Sequence, residues 1–381
     1  MEDSRQRQRS GPRQPGIAMG RLLGFPLYLN PSALLFAALV TLTYGSFVRR
    51  TLDFSPETSY FVGFGFVVCL LASVLLHELG HALTARRHGI GVRGITLELL
   101  GGYTEMERDA PNPKVDAQVA LAGPAVSLVL GAIAAGATVA LPGGGLIHQL
   151  AFQLAASNLI VAAFNSLPGL PLDGGRALRA GVWAVTGDRH LGTEVAGWIG
   201  RVVAAVTALG AAALAYVGLF SAFGLVFMLL IAVTLWQGAG QAIRLARISR
   251  RFPLIELSRL ARPVFAVPSG TPLAEAYRRA AEAGRPDAAL AVADAAGRLV
   301  ALVHHGAAEA VPAERRPWVP VDSVARGLDG VATISATLDG EDVIRAVQAN
   351  PVAEYLVTSG DDVVGVLHVS DLALLLEPKG K

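Results

Sequence analysis

Four long stretches of apolar residues constrain the fold of this chain more than any other feature. They cover residues 32–48, 59–83, 117–172 and 202–243. A helix needs roughly 20 residues to cross the hydrocarbon core of a bilayer, so the last two stretches each fit a pair of helices. The first pair is hinged at 141–145 and the second turns near 218–224. With 52% hydrophobic and 16% charged residues, the chain is predicted to be a polytopic α-helical bundle with about six membrane spans.

Arginines flank these stretches unevenly, which predicts the orientation of the bundle. One set of flanking segments carries many arginines, and the other carries only Arg49 and Arg50. Because positive residues accumulate on the cytoplasmic side, both termini are predicted to be cytoplasmic in a multi-pass protein of the cell membrane. Residues 1–16 lack an apolar core with a cleavage site, and are interpreted as a flexible basic cytoplasmic tail. The arginine-rich set is Arg5, Arg7, Arg9, Arg13, Arg21, Arg86, Arg87, Arg93, Arg176, Arg179, Arg189, Arg244, Arg247, Arg250 and Arg251.

An H-E-x-x-H motif lies at the end of the second apolar stretch, at residues 77–81. On a helix, His77 and His81 share one face and can bind a single Zn²⁺, while Glu78 lies next to the water that the metal holds. The alternative is a chance pentapeptide with two core histidines. Ionisable groups at membrane depth are costly and are usually functional, so the position of the motif favours a metal site.

A catalytic zinc site needs a third protein ligand and an open position. Asp173 is the first carboxylate after 56 uncharged residues, at the predicted depth of the two histidines, and the prolines before it break the helix. It is the predicted third ligand, although Asp also commonly caps a helix. Asn165, eight residues earlier, is predicted to donate an amide N–H to an oxyanion; the alternative for Asn165 is a hydrogen bond between helices.

These residues predict hydrolysis of a peptide bond. One Zn²⁺ per chain would lower the pKa of its water and polarise the carbonyl group, and Glu78 would act as the general base. Between spans two and three, residues 95–107 alternate as a β-strand does around Gly101 and Gly102. We expect Gly101, Gly102 and Tyr103 to bind an extended substrate by strand addition. A surface hairpin is the alternative for this segment.

Several motifs resemble those of the site-two protease family of intramembrane zinc metalloproteases. They are HisGluLeuGlyHis (77–81), AlaGlyProAlaValSer (122–127), AsnSerLeuProGlyLeuProLeuAspGlyGlyArg (165–176) and the segment 20–32. The resemblance covers residues 17–250, which form the predicted six-span metalloprotease domain. It implies His77, His81 and Asp173 as zinc ligands, Glu78 as base and Asn165 as an oxyanion contact.

Residues 251–377 have the composition of a soluble α/β domain. The segment 270–303 resembles the segment 338–367, at an offset of about 65 residues, which indicates two similar units. The domain resembles a tandem cystathionine-β-synthase (CBS) pair, as in the sporulation-type branch of the site-two proteases. By that resemblance Ser370 and Asp371 would bind an adenine nucleotide, whereas the first repeat has Ala308 at the position of Asp371. The favoured alternative for Asp371 is the N-cap of a helix. His304, His305 and His368 are interpreted as surface residues at strand ends.

The sequence therefore predicts an intramembrane zinc endopeptidase that performs regulated intramembrane proteolysis near the cytoplasmic face, in a bacterial membrane. Its expected partners are a transmembrane protein substrate, the lipid bilayer and a second copy bound through the CBS domains, with no nucleic acid. One alternative is a non-proteolytic transporter or channel gated by the CBS pair. That alternative leaves His77, Glu78, His81 and Asp173 without a role. The other is a catalytically silent scaffold, which the intact Glu78 argues against.

Overall fold

The computed structural model describes residues 16–52, 54–98, 101–143, 145–360 and 362–376. The predicted basic tail therefore lies outside the described residues, apart from Gly16. The chain divides into two compact units, one that ends at Ala246 and one that begins at Arg247.

The first unit is built on seven helices. Six of them are long and apolar enough to cross a membrane, which confirms the predicted number of spans within the described part of the chain. The seventh, α5, is a short helix that the pattern of apolar stretches does not predict. The helices are α1 (Pro31–Leu52), α2 (Pro56–Arg87), α3 (Pro113–Ala140), α4 (Leu146–Asn165), α5 (Asp173–Thr186), α6 (Arg189–Tyr216) and α7 (Ala222–Ser249).

Local sequence signals explain where these helices begin. Ser55 caps α2 by accepting a hydrogen bond from the Thr58 N–H, and Asn112 caps α3 in the same way from the Val115 N–H. Each cap is followed by a proline, which has no N–H to satisfy in the first turn of a helix. The predicted hinge at 141–145 is the connection between α3 and α4.

The connection from α4 to α5 is packed tightly enough to require glycine. A Cβ atom on Gly174 would lie 2.3 Å from the Ser166 carbonyl oxygen, and one on Gly175 would lie 2.2 Å from the Leu170 nitrogen. The two glycines let the start of α5 fold back against its own connection. Asp173, the first residue of α5, is thereby held at one end of the bundle.

A four-stranded sheet completes the first unit. Its order is β1-β2-β3-β4: β2 is antiparallel to β1 and parallel to β3, and β3 is antiparallel to β4. Since β4 pairs only with β3 among the described residues, it is an edge strand. The strands are β1 (Ile17–Leu22), β2 (Phe25–Leu29), β3 (Val92–Glu98) and β4 (Gly101–Met106).

The second unit consists of two β-α-β-β-α halves. In each half the first strand is parallel to the second and the second is antiparallel to the third. The first half holds β5 (Val264–Pro268), α9 (Leu273–Glu282), β6 (Ala289–Ala293), β7 (Leu299–Val303) and α10 (His305–Glu309), preceded by α8 (Leu257–Leu260) and followed by β8 (Ala325–Gly327). The second half holds β9 (Thr333–Ser335), α11 (Gly340–Ala349), β10 (Glu354–Ser359), β11 (Asp362–His368) and α12 (Val369–Leu376).

Corresponding elements of the two halves are separated by the predicted offset. Strand β6 begins at Ala289 and its counterpart β10 begins at Glu354. Apolar residues of the two sheets, among them Leu302 and Leu356, pack into one shared core. The predicted fold class, a helical membrane bundle followed by a tandem CBS-type α/β unit, is confirmed.

Two interpretations of the second unit are wrong. His368 does not lie at the surface, because it is 5% exposed and its ring contacts that of His305 at 4.9 Å between centroids. Asp371 is not an N-cap, because it lies inside the first turn of α12 and accepts two hydrogen bonds from Arg262 at 2.8 and 2.9 Å. The partners are far away in sequence, because Arg262 precedes β5 and His305 is the first residue of α10. Neither contact could therefore be read from the local pattern.

Candidate metal centre

Three side-chain atoms of the first unit converge on one point. They are Nε2 of His77, Nε2 of His81 and Oδ2 of Asp173. The histidine nitrogens are 3.2 Å apart, and the Asp173 oxygen is 3.1 Å from His77 and 3.3 Å from His81. Helix α2 supplies both histidines from consecutive turns of one face, and the first residue of α5 supplies the carboxylate.

The other nitrogen of each imidazole has a partner of its own. Nδ1 of His81 donates to the Val119 carbonyl oxygen at 2.7 Å, since a carbonyl can only accept, and this leaves the lone pair on Nε2. Nδ1 of His77 is 2.9 Å from the hydroxyl of Ser127. Both partners lie on α3. Such contacts orient the rings that bind a metal and fix their tautomers.

The geometry fits a zinc ion. Ligand atoms about 2.0–2.1 Å from a tetrahedral Zn²⁺ are about 3.3 Å from one another, which matches the three distances. Gly123 of α3 keeps the space open, because a Cβ atom there would lie 2.3 Å from Nε2 of His81 and 2.5 Å from Nε2 of His77. The donor set, two imidazoles and one carboxylate, is one that catalytic zinc sites use.

Glu78 lies beside this cluster and is held by strand β4. The hydroxyl of Thr104 donates to Oε2 of Glu78 at 2.8 Å. A Cβ atom on Gly102 would lie 2.9 Å from Cγ of Glu78, so the glycine allows the strand to approach the carboxylate. Glu78 is 5% exposed. Thr104 was not among the predicted site residues, because its pairing with Glu78 depends on how β4 packs against α2.

A cavity of about 540 Å³ opens at the cluster and is lined mainly by apolar side chains of α2, α4 and α7. Asn165, at the last turn of α4, lines it together with Glu78 and the three converging residues. Gly101, Gly102 and Tyr103 of β4 line it as well. The structure thus brings all the site residues that the sequence predicted in the first unit to one cavity.

A buried ion pair fixes α5, which carries Asp173. Asp116 of α3 is 1% exposed and accepts hydrogen bonds from Arg179 of α5 at 2.9 and 2.7 Å. Arg176, which also lines the cavity, is 3.7 Å from Asp116. From the sequence alone, these arginines indicate only the orientation of the bundle. The signal that could have revealed their role is the spacing of Arg176 and Arg179, one helical turn apart.

The predicted nucleotide residues lie in the second unit. A cavity of about 130 Å³ in that unit has Arg262, His305, Glu354 and His368 among its lining residues, but neither Ser370 nor Asp371 lines it. Burial lowers the pKa of His368, with a smaller contribution from the charge of Arg262. The hydrogen bonds from Arg262 lower the pKa of Asp371. Asp371 is therefore a carboxylate with a cationic partner, and Ser370 is its neighbour in α12.

Comparison with known proteins gives consistent results along the chain. Residues 65–157, which include the two histidines and Gly123, match Peptidase family M50. A Synechocystis sp. protein that carries the name of a zinc metalloprotease, sll0528, is 32% identical over 369 residues, which cover 95% of this chain and 95% of the relative.

Two solved structures are also similar. The Site-2 Protease from Methanocaldococcus jannaschii is 26% identical, with 60% of this chain and 94% of that chain covered and a TM-score of 0.42. The CBS-domain containing protein ATU1752 from Agrobacterium tumefaciens is 15% identical, with 31% of this chain and 88% of that chain covered and a TM-score of 0.24.

Proposed function

The chain belongs to Peptidase family M50, the site-2 protease family of zinc metalloproteases, and from this premise we propose that it cleaves a membrane-embedded protein substrate in regulated intramembrane proteolysis. The observation that carries the proposal is the convergence of His77, His81 and Asp173 beside Glu78 in an apolar cavity. Four ionisable groups inside a helical bundle are costly unless they act together.

His77, His81 and Asp173 would hold the ion, and Zn²⁺ bound there supplies Lewis-acid chemistry to the scissile carbonyl. Glu78 takes the proton from the attacking water and passes it to the leaving amine. Thr104 is a positioning residue, because its hydroxyl donates to Oε2 of Glu78 and leaves Oε1 to accept the proton. Asn165 donates its amide N–H to the oxygen of the tetrahedral intermediate.

The substrate binds along strand β4. Gly101, Gly102 and Tyr103 belong to an edge strand that lines the cavity and contacts Glu78. An extended peptide that pairs with this edge would satisfy its backbone hydrogen bonds and would present successive carbonyl groups to the site. A helical segment of the substrate must unwind first, since its peptide groups are already hydrogen bonded.

The cut lies near the cytoplasmic face of the membrane. Helix α2 ends with Arg86 and Arg87, one to two turns beyond His81, and positive residues favour the cytoplasmic side. The same bias orients both termini toward the cytoplasm. In this arrangement residues 17–250 form the protease domain, and residues 251–377 form a cytoplasmic CBS pair that regulates it. Ser370 and Asp371 are the proposed contacts of the CBS pair with an adenine nucleotide, and the CBS pair is the proposed homodimer surface.

The test is a set of variants measured for both zinc and cleavage. The wild-type protein should carry one zinc per chain, and His81→Ala and Asp173→Ala should lose it. Glu78→Gln should retain the metal and lose cleavage, because the amide cannot accept a proton. Substrate trapping with the Glu78→Gln protein then identifies the membrane protein that accumulates.

Two results would contradict the proposal. Cleavage that survives Glu78→Gln would remove the general base from the mechanism. A gated transporter would be favoured instead if the purified protein held no metal and carried a solute across vesicle membranes, and if that flux were lost when the CBS pair is deleted.

A further inference from the structure

We propose that the groove between α6 and α7 binds the phosphate of an anionic lipid at the membrane interface. The groove is defined by Trp198 and Arg201 of α6 and by Trp236 and Arg244 of α7. It lies apart from the metal centre, and none of its four residues lines the cavity described above.

The two arginines occupy the same predicted depth in the membrane. Residues 202–243 contain no charged residue and form the apolar hairpin of α6 and α7, so Arg201 and Arg244 flank it on both sides. Tryptophan is common at the same level, where a bilayer changes from hydrocarbon to headgroups. Trp198 and Trp236 are 47% and 48% exposed, as expected for side chains that face lipid.

The two guanidinium groups also converge in space. A Cβ atom on Gly240 of α7 would lie 3.3 Å from a terminal nitrogen of Arg201 and 3.5 Å from one of Arg244. The Arg201 guanidinium stacks on Trp198 at 4.8 Å and on Trp236 at 5.1 Å from the ring centroids. These stacking contacts hold the cation in a fixed orientation.

Neither arginine has an acidic partner within the described part of the chain. The Nε–H of Arg201 is buried and donates to nothing there. The two guanidinium cations repel each other in a medium of low dielectric constant, and an anion with several acceptor oxygens would relieve the repulsion. A phosphate group fits, since it accepts hydrogen bonds from planar guanidinium groups in pairs. The position at the membrane interface favours a phospholipid headgroup over a free ion.

A phosphate in this groove would hold together the two helices that clamp the connection before Asp173. The N–H of Leu170 donates to the Ala196 carbonyl of α6 at 3.0 Å. A Cβ atom on Gly238 of α7 would lie 2.9 Å from Pro171. Leu172 packs with Ala204 of α6 and Leu235 of α7. The lipid would therefore stabilise the position of Asp173. The effect on Asp173 is the only part of the proposal that rests on the proposed proteolytic function. Lipid binding does not rest on it.

The experiment measures lipid retention by the full-length protein in detergent, using native mass spectrometry. The protein is mixed with phosphatidylglycerol or with phosphatidylcholine of the same acyl chains. We expect one phosphatidylglycerol to be retained selectively. Arg244→Gln changes an exposed residue and should weaken retention about fivefold, as should Arg201→Gln. Arg87→Gln removes an exposed arginine from the end of another span and should change nothing.

Other outcomes would overturn the proposal. Equal retention of phosphatidylcholine would show a site without selectivity for the anionic headgroup. Unchanged retention of phosphatidylglycerol by the Arg201→Gln/Arg244→Gln double variant, at a melting temperature close to that of the wild type, would place the lipid elsewhere. Displacement of the lipid by millimolar inorganic phosphate would show that the groove binds the free ion. Arg201→Lys covers the case in which Arg201→Gln does not fold, because it retains the charge and should retain most of the binding.

Discussion

The metal centre of the membrane-spanning unit and the CBS-type unit use buried charge in opposite ways. In the first, His77, His81 and Asp173 direct their ligand atoms at one point, and Asp173 forms no ion pair with an arginine or lysine among the described residues. In the second, Asp371 is paired with Arg262, and Glu354 with Arg326. A cluster whose ligand atoms converge on one point indicates a bound ion, whereas a cluster paired within itself indicates a structural role. The following predictions test this difference, from the largest expected effect to the smallest.

Gly123→Ala should abolish zinc binding and cleavage together. The added methyl group would lie within 2.5 Å of Nε2 of both histidines, so it would fill the space of the ion or displace the rings. Gly136→Ala in the same helix is the matched control, because a Cβ atom there has no neighbour within 4 Å. The measurements are zinc content and cleavage rate. Full zinc occupancy in Gly123→Ala would mean that the ligand atoms do not converge as described.

Asp116→Asn should destabilise the first unit. This result would limit the contrast between the two units to the metal centre, because it would show that another buried charge of the first unit is structural. Asp116 is a fully buried carboxylate of the membrane-spanning unit that is paired within the protein, with Arg179. Loss of its charge leaves a guanidinium without compensation, which costs about 3–5 kcal/mol. Thermal unfolding in detergent measures the effect. The control is Asp342→Asn, whose exposed pair with Arg345 should contribute less than about 1 kcal/mol.

A lower activity with unchanged unfolding temperature would contradict this assignment of Asp116. It would mean that the ion pair serves the chemistry directly, and the charges of the first unit would then all be functional. The expected result instead separates two classes within that unit: charges that hold α5 in place and charges that converge on the metal position.

Thr104→Val should lower kcat about tenfold to a hundredfold with little change in KM. The valine has nearly the same shape and retains the strand, but it cannot donate to Glu78, and a hydrogen bond to a charged group contributes about 1.5–3 kcal/mol. Thr104→Ser retains the hydroxyl and should restore most of the rate. Zinc content should not change in either variant. If KM increases while kcat is unchanged, Thr104 contributes to substrate binding on β4 rather than to the position of the general base.

The ligands could be predicted from the sequence, but their supporting contacts could not. His77 and His81 are four residues apart on one helix, so helical geometry alone places them together. Asp173 could be predicted because membrane depth restricts where a carboxylate can lie. Ser127, Thr104 and Asp116 act through contacts across 26 to 63 residues of chain, which no local period encodes.

The same distinction explains the differences in fold. The six spans follow from the length of apolar runs, which is a property of each segment by itself. Helix α5 has only 14 residues and has polar residues on one side, so it lacks the signal of a membrane span. The sequence predicts an exposed His368, because strand ends are usually exposed. Its burial results from packing against His305, a contact between the two halves of the repeat.

Asp371→Asn should have the smallest effect, a loss of about 1 kcal/mol in the stability of the second unit at pH 7. The bidentate pair with Arg262 is roughly three-quarters buried, so the interaction is partly screened by solvent. Because Arg262 lowers the pKa of Asp371, the stabilisation is complete above the pKa of an unfolded aspartate, about 3.9. It is lost as the pH falls through the lower folded pKa. The melting temperatures of wild type and variant should therefore differ at pH 7 and converge in strong acid.

The control for this prediction is Asp362→Asn, which changes an exposed residue of β11. The comparison between the two units fails if Asp371→Asn leaves stability unchanged but abolishes a shift of the melting temperature by ATP or AMP. Asp371 would then be a nucleotide-binding residue rather than a structural one.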